Sequence, residues 1–153
     1  MRLSPIASGS SGNSIYVGSD RTHLLVDTGI SRKRIEEGLS LLDLSGHDID
    51  GILITHEHSD HIQGLGVFCR KYHVPIYATR STITEIEKVN ALGDIDSSLF
   101  NVVQPDIGLT IGDIDITPMH IYHDAADPVG YTFTCKNTKI AVATDLGHFD
   151  DYI

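Results

Sequence analysis

Four metal-ligand side chains fall within six positions at the end of a short apolar run: His56, His58, Asp60 and His61. The preceding residues 50–55 are rich in branched aliphatic side chains, which predicts a buried strand. Side chains two positions apart on an extended backbone share a face, so His56 and His58 are expected to point the same way. Asp60 and His61 fall where a predicted helix begins, and they reach the same point from a second direction. Two converging donor pairs favour a centre with two metal ions over a centre with one.

Three further polar residues follow apolar runs elsewhere in the chain: Asp27, His123 and Asp145. Functional sites in sheet-based α/β folds gather at the carboxyl ends of strands, so these side chains are expected to meet the histidine cluster. The residues alone also allow a plainer interpretation. The cluster would then be a solvated polar turn, and the two aspartates would be turn residues that precede glycines.

The order of apolar runs and turn formers predicts one α/β domain over residues 1–153, without repeats or linkers. We predict strands at 2–7, 13–18, 22–27, 50–55, 75–79, 99–103, 108–111, 114–121, 129–135 and 138–144, and helices at 31–42, 61–72, 81–90 and after Asp145. Gly112-Asp113 and Lys136-Asn137 are each typical of a two-residue hairpin turn.

Taken in chain order, Asp27, the run from 56 to 61, His123 and Asp145 resemble the first four motifs of the metallo-β-lactamase fold. That family consists of metal-dependent hydrolases built as an αββα sandwich. The resemblance extends over the whole chain. It implies the same sandwich here, with the metal centre at one edge of the sheets.

Two segments narrow the resemblance to one branch of this family. The turn from Ser8 to Asn13 and the stretch from His123 to Tyr131 resemble the YycJ/WalJ-like branch, whose members are regarded as DNA exonucleases. The pattern H-D-x-x-x-P-x-G-Y in the second segment also resembles ribonuclease Z, which cleaves RNA. Lactamases proper lack such a stretch, so a nucleic-acid substrate is expected.

The resemblance implies six metal ligands: His56, His58 and His123 around one ion, Asp60 and His61 around the other, and Asp145 between the two. Asp27 is expected to hold the histidine loop in place by hydrogen bonds from outside the ligand set. Asp60 or Asp145 would steer the proton of the attacking water, which makes these two the expected catalytic residues.

The family's fifth motif supplies one more histidine well after the position of Asp145. The sequence reaches Ile153 without it, and His148 does not stand at the position of that motif. We therefore expect a domain that is incomplete at its C-terminus. The apolar faces of the last three predicted strands would then lack part of their cover, which predicts self-association of the chain.

A net charge of −10 at pH 7 is unusual for a protein that binds phosphates, because such proteins normally use Lys and Arg. Part of that charge belongs to the predicted ligands. Six residues are candidates for phosphate contact: Arg32, Lys33 and Arg34 at a helix start, and Ser10, Ser11 and Asn13 in the glycine-rich turn. A solvated helix face and an ordinary surface turn remain the alternatives.

His and Asp ligands suit Zn²⁺, and also Mn²⁺ or Fe²⁺. Two such ions about 3.5–4 Å apart lower the pKa of a shared water and clamp the attacking and leaving oxygens of a phosphodiester. With the resemblance, this predicts a metal-dependent DNA exonuclease, with DNA preferred to RNA. Two alternatives stay open: a hydrolase of small cyclic phosphodiesters or thioesters, and a non-catalytic metal-binding fragment.

Membrane association is not expected from this sequence. No stretch approaches the roughly 18 apolar residues that a membrane-spanning helix needs, and the start of the chain has no apolar signal region. Cys69 and Cys135 lie far apart without a C-x-x-C pattern, which favours reduced thiols. We therefore expect a cytoplasmic protein.

Overall fold

A computed structural model describes residues 1–144 of the chain; Asp145 and the helix predicted after it lie outside these described residues. The strands are β1 (Arg2–Ala7), β2 (Ser14–Gly18), β3 (His23–Val26), β4 (Gly51–Leu53), β5 (Ile76–Thr79), β6 (Phe100–Val103), β7 (Leu109–Ile111), β8 (Ile114–His120), β9 (Val129–Cys135) and β10 (Thr138–Val142). The helices are α1 (Arg32–Ser40), α2 (Ser59–Ile62), α3 (Leu65–Tyr72) and α4 (Arg80–Glu87). Three short 3₁₀ helices that the sequence did not predict lie at Gly46–Asp48, Asn90–Leu92 and Ser97–Leu99.

The strands form two sheets. The first has the order β1-β2-β3-β4-β5-β6, in which the first three strands are antiparallel and β3 to β6 run parallel. The second is an antiparallel sheet with the order β10-β9-β8-β7. Because the carboxyl ends of parallel strands meet at one edge, the loops after β3 and β4 emerge side by side.

Both faces of the first sheet are covered, because its central strands carry apolar residues on both sides. Leu25 packs with the helices, in a core that includes Ile35 of α1 and Phe68 of α3. Its neighbour Val26 faces the second sheet and packs in a core that includes Phe133 of β9. The described residues thus form a helix layer and two packed sheets, which are three of the four layers of the predicted αββα sandwich. No helix within residues 1–144 is long and apolar enough to cross a bilayer.

The helix predicted at 61–72 is in fact two helices, α2 and α3, separated at Gln63 and Gly64. Gly64 donates its backbone N–H to the carbonyl oxygen of Thr28 at 2.8 Å. A side chain on Gly64 would overlap the carbonyl oxygen of Ile30. This tertiary contact overrides the apolar periodicity, and it leaves α2 as a separate turn beside the loop after β3.

The expectation that β8, β9 and β10 expose apolar faces is wrong for the described residues. Their apolar side chains, such as Ile116 and Tyr131, point inward and are buried against the first sheet. The opposite face carries polar side chains, including the exposed Asp115 and Lys139. The antiparallel strands alternate between an inner apolar and an outer polar face, so self-association cannot rest on an open apolar sheet face.

A polar contact ties the turns at the far ends of the two sheets together. The Asp113 carboxylate, in the hairpin turn between β7 and β8, accepts hydrogen bonds from the hydroxyls of Ser19 at 2.6 Å and Thr22 at 2.7 Å. The Ser19 and Thr22 bonds favour the charged form and lower the pKa of Asp113 to about 2.

Candidate metal centre

Three histidines from different parts of the chain converge at the edge of the sheets. His56 and His58 follow β4, and His123 lies in the irregular segment 121–128 that joins β8 to β9. Their ligand nitrogens all lie within 4.8 Å of one another, and within residues 1–144 no other three His, Cys, Asp or Glu side chains meet this spacing. His56 is buried, whereas the other two are partly exposed. Solvent therefore reaches one side of the cluster.

The spacing of this cluster fits a metal ion. His123 Nε2 and His58 Nδ1 face each other at 3.3 Å. Two nitrogens bound to Zn²⁺ at about 2.0–2.1 Å with a tetrahedral angle stand about 3.3–3.4 Å apart. His56 Nδ1 lies 2.9 Å from the Thr55 hydroxyl, which leaves Nε2 as the nitrogen this ring offers.

Asp27 lies at the centre of a buried network that fixes the histidine loop. Its Oδ1 accepts the backbone N–H of Thr55 at 2.8 Å, and its Oδ2 accepts the Thr55 hydroxyl at 2.7 Å. Oδ2 also contacts Nδ1 of His61 at 2.6 Å. Burial raises the pKa of the Asp27 carboxyl, and the bonds from His61 and Thr55 act in the opposite direction. Asp27 adopts a left-handed backbone with φ of 64°, which an aspartate tolerates better than most residues.

His61 and Asp60 form a second donor pair beside the three histidines. With Nδ1 of His61 held by Asp27, Nε2 faces Oδ2 of Asp60 at 3.6 Å. The ring centroid of His61 lies 4.1 Å from that of His56, so the pair and the cluster are adjacent. Asp145, predicted to complete this second site, lies outside the described residues.

The glycine-rich turn contacts this second pair through Asn13. The Asn13 amide nitrogen donates to Gly9 O at 2.9 Å and to Asp60 Oδ2 at 3.2 Å, and it lies 3.3 Å from His61 Nε2. Ser10 and Ser11 are exposed. Of the three turn residues predicted to contact phosphate, Asn13 thus has its amide directed at the donor pair, and the two serines face solvent.

At Gly29, the loop after β3 is in backbone contact with the glycine-rich turn and with α2, next to the metal centre. The N–H of Gly29 donates to the carbonyl of Asn13 at 2.8 Å, and the N–H of Asn13 donates to the carbonyl of Asp60 at 2.8 Å. A methyl group at position 29 would overlap that Asp60 carbonyl. The loop after β3 can approach α2 this closely only because residue 29 has no side chain.

Arg32 and Lys33, but not Arg34, border a surface cavity of 360 Å³ together with Ser31, Gln63, Gly64 and Val67. Gln63 joins this cavity to the centre, since it directly follows α2 and donates from its side chain to the carbonyl oxygens of Ser11 and Gly29. Arg34 is exposed elsewhere on the helix. The structure thus separates the basic cluster into two residues beside the cavity and one away from it.

Two residues that support the histidine loops were not singled out from the sequence as part of the site. The Glu57 carboxylate accepts the backbone N–H of Ala126 at 3.1 Å. The Tyr131 hydroxyl donates to the carbonyl of Ile54 at 2.8 Å. Glu57 had one usable signal: residues between two histidines that share a face of an extended segment point the other way. Tyr131 looked like an ordinary core residue.

Sequence relatives agree with the expected branch. The chain is 42% identical over 151 residues to a protein named Exodeoxyribonuclease YycJ from Bacillus anthracis, a match that covers 99% of this chain and 56% of that protein. It is also 42% identical over 150 residues to one named Exodeoxyribonuclease WalJ from Streptococcus pneumoniae serotype 2, covering 98% and 56%. The chain therefore spans just over half the length of these curated relatives.

Solved structures agree with the expected fold. The Rm3 metallo-β-lactamase superposes with a TM-score of 0.74 at 17% identity, covering 91% of this chain and 56% of that one. At this identity the likeness establishes the fold alone, and it confirms the predicted fold class. The sequence model of the metallo-β-lactamase superfamily matches residues 7–152. On its fold and its sequence, the chain belongs to the metallo-β-lactamase superfamily.

Proposed function

We propose that this chain, in its full-length natural form, is a metal-dependent phosphodiester hydrolase that acts on nucleic acid as an exonuclease, with DNA preferred to RNA. The observation that carries the proposal is the convergence of His56, His58 and His123, with ligand nitrogens within 4.8 Å, beside the pair Asp60 and His61. The names of the two relatives at 42% identity support the choice of DNA.

Two divalent ions would be held by these residues, one by the three histidines and one by the donor pair with Asp145. Zn²⁺, Mn²⁺ and Fe²⁺ are each compatible with nitrogen and carboxylate ligands. Bound ions would supply Lewis acidity to the scissile phosphate and would acidify the attacking water. The rest of the proposed chemistry depends on the residues of the chain.

Asp27 has the role of orienting His61. Its carboxylate accepts the Nδ1 proton at 2.6 Å, which fixes the tautomer and directs Nε2 towards Asp60. Asn13 holds the Asp60 carboxylate from the other side at 3.2 Å. The side chain of Asp60 is 29% exposed, so it can take up a proton from the attacking water and release it to solvent. Asp60 and Asp145 are the proposed catalytic residues.

Substrate binding is proposed at the cavity beside α2. Arg32 and Lys33 border it and supply positive charge next to the centre, in a chain whose net charge is −10. Their role would be contact with the phosphates of a strand that enters the site. The Arg32 side chain is 39% exposed and lies 3.6 Å from Glu36, so a phosphate would compete with that ion pair. Ser10 and Ser11 are proposed as further contacts from the turn.

Compartment and domain organisation are part of the same proposal. Both cysteines are free and buried, which supports a reducing environment and hence the cytoplasm. The two sheets share one apolar core, which supports a single domain. Burial raises the pKa of the Cys69 thiol to about 12, so this cysteine has no proposed catalytic role.

The proposal is tested with end-labelled DNA and RNA of the same sequence, a cyclic dinucleotide and a thioester, each incubated with full-length protein and Zn²⁺, Mn²⁺ or Fe²⁺. We expect progressive release of mononucleotides from DNA, faster than from RNA, and abolished by chelator or by His58→Ala. The matched control is His73→Asn, which removes an exposed imidazole at the end of α3. Cleavage of the small esters alone would favour the small-substrate alternative, and binding of metal without any hydrolysis would favour a non-catalytic fragment.

A further inference from the structure

His123 differs from the other two histidines of the cluster in how it is supported. His56 and His58 follow a central strand of the first sheet, within three residues of each other. His123 comes from the second sheet, in the irregular segment 121–128. Its distance from the other two therefore depends on contacts that tie this segment to the first sheet.

Apart from the facing ring nitrogens of His58 and His123, hydrogen bonds at three places tie this segment and the start of β9 to the first sheet and the adjoining α4. Val129 N–H donates to the carbonyl of Thr55 at 3.0 Å, where β9 begins. At the second place, the hydroxyls of Thr79 and Thr82 donate to the carbonyl of Asp127, at 3.0 Å and 3.5 Å. The third contact is the one nearest to His123, in which Glu57 accepts the N–H of Ala126 at 3.1 Å through one oxygen, with the other oxygen at 3.4 Å. Of these hydrogen bonds to the backbone, the one made by Glu57 comes from within the histidine motif itself.

We propose that Glu57 is a positioning residue that sets the metal affinity of the three-histidine site by holding the His123 segment through the N–H of Ala126. This inference rests on the proposed metal site. Glu57 stands between two ligands, so its backbone moves with His56 and His58. Its side chain accepts a hydrogen bond from the backbone of Ala126, three residues after His123. One residue thereby couples all three ligands.

The chemistry of this hydrogen bond is suited to the task. A carboxylate accepts a backbone N–H in a charge-assisted bond, which is stronger than a bond between neutral groups. Ala126 is exposed and Glu57 is partly exposed, so these two side chains bury little apolar surface. Breaking the bond should therefore affect the position of His123 far more than the stability of the sheets.

The test measures Zn²⁺ affinity of the chain by competition with a chromophoric chelator, and ligand geometry from the visible absorption of the Co²⁺ form. Glu57→Ala should weaken the three-histidine site by about 10-fold or more, the range known for residues that orient metal ligands. Glu57→Gln keeps an acceptor oxygen without the charge and should stay closer to wild type than to Glu57→Ala. Asp124→Asn removes a neighbouring exposed carboxylate and serves as the charge control.

Ala126→Pro approaches the same bond from the other side, because proline has no N–H to donate. It should weaken metal binding to the same extent, and the double variant with Glu57→Ala should bind little more weakly than either single variant, as expected for two partners of one bond. This variant also keeps the test available if Glu57→Ala does not fold. Thermal unfolding of the metal-free variants should stay near wild type.

Four results would overturn the inference. The first is an unchanged metal affinity in Glu57→Ala, and the second is an affinity in Glu57→Gln or in Asp124→Asn that is weakened as much as in Glu57→Ala. The third is a double variant in which the two losses of affinity add. The fourth is a loss of thermal stability, relative to wild type, that is as large in metal-free Glu57→Ala as in the metal-loaded variant. His58→Ala separates this failure from failure of the proposed function. If metal binding disappears in His58→Ala while Glu57→Ala binds metal as tightly as wild type, only the role of Glu57 is wrong. If His58→Ala binds metal as wild type does, both the proposed metal site and the proposed role of Glu57 are wrong.

Discussion

The hydroxyl of Tyr131, in β9 of the second sheet, donates a hydrogen bond to the main-chain carbonyl of Ile54, 2.8 Å away and directly after β4 of the first sheet. Tyr131 is fully buried, and burial raises its pKa well above the ordinary value, so the group remains a neutral donor. Ile54 lies two residues before His56. The bond thus joins the sheets at the point where the histidine loop begins.

Replacing Tyr131 with Phe should lower the free energy of unfolding by about 1–3 kcal/mol, because the carbonyl of Ile54 loses a buried partner. Urea unfolding at neutral pH measures the change. Tyr77→Phe is the matched control, since Tyr77 is half-buried and its hydroxyl makes no hydrogen bond within residues 1–144, so its variant should differ little from wild type. Equal effects of the two variants would show that the bond to Ile54 adds no stability.

The three-histidine site should lose its metal when one ligand is removed. We expect His58→Ala to bind one equivalent of Zn²⁺ less than wild type, since the three nitrogens within 4.8 Å become two. Metal content after dialysis, measured by mass spectrometry, gives the stoichiometry. His73→Asn should retain the wild-type content, and an unchanged content in His58→Ala would refute the ligand assignment.

Arg32 and Lys33 should contribute to DNA binding more than Arg34, because only the first two border the cavity beside α2. In full-length protein, the double change Arg32→Gln and Lys33→Gln should flatten the slope of log K against log salt by about 0.9 for each phosphate of duplex DNA that the protein no longer neutralises. Arg34→Gln alters the charge of the same helix and should leave the slope nearly unchanged. Identical slopes in all variants would show that these residues form an ordinary solvated helix face without phosphate contacts.

The contact between Asp113 and the two hydroxyls predicts a pH-dependent stability. The pKa of Asp113 is lowered to about 2 in the folded state, below its ordinary value near 4. Its contribution is therefore fully present above about pH 4 and disappears as the pH falls towards 2. The difference in unfolding midpoint between wild type and Asp113→Asn should narrow over that window. A constant difference from pH 6 to pH 2.5 would contradict the assignment.

Self-association remains a prediction, with a different structural basis from the one first expected. The apolar residues of the second sheet are buried, but β10 is an edge strand of that sheet within the described residues. Its free backbone groups can pair with another chain. Light scattering over a range of concentrations should show a rising mass for the chain, and replacing Ala141 with Pro should suppress it. A constant monomer mass would exclude this association.

The strands could be predicted because their signals are local. Two-residue turns at Gly112-Asp113 and Lys136-Asn137 fix the hairpins of the second sheet, and the registers Ile111 with Ile114 and Cys135 with Thr138 confirm both. The break at Gly64 could not be predicted, because it depends on a hydrogen bond with Thr28, which is far away in the sequence. Periodicity alone continues the helix through that glycine.

The site divides in the same way. His56, His58 and His61 lie in one short motif, so sequence spacing was sufficient to bring them together. The hydrogen bonds that support the site, from Thr55 to Asp27 and from Ala126 to Glu57, join residues far apart in the sequence. The spacing of residues within a motif gives no information about such bonds. Asp145 was predicted from its strand-end pattern, and its placement lies outside the described residues.

The close approach at Gly29 limits how this centre could be moved into another protein. The atoms that a side chain would strike belong to the main chain of Asp60 and Asn13, and a main chain cannot turn aside as a flexible side chain can. A transplanted histidine motif would therefore need the host to reproduce three backbone segments in contact, and not only the ligands. Designers who graft this centre should treat positions 13, 29 and 60 as one unit, with glycine retained in the middle.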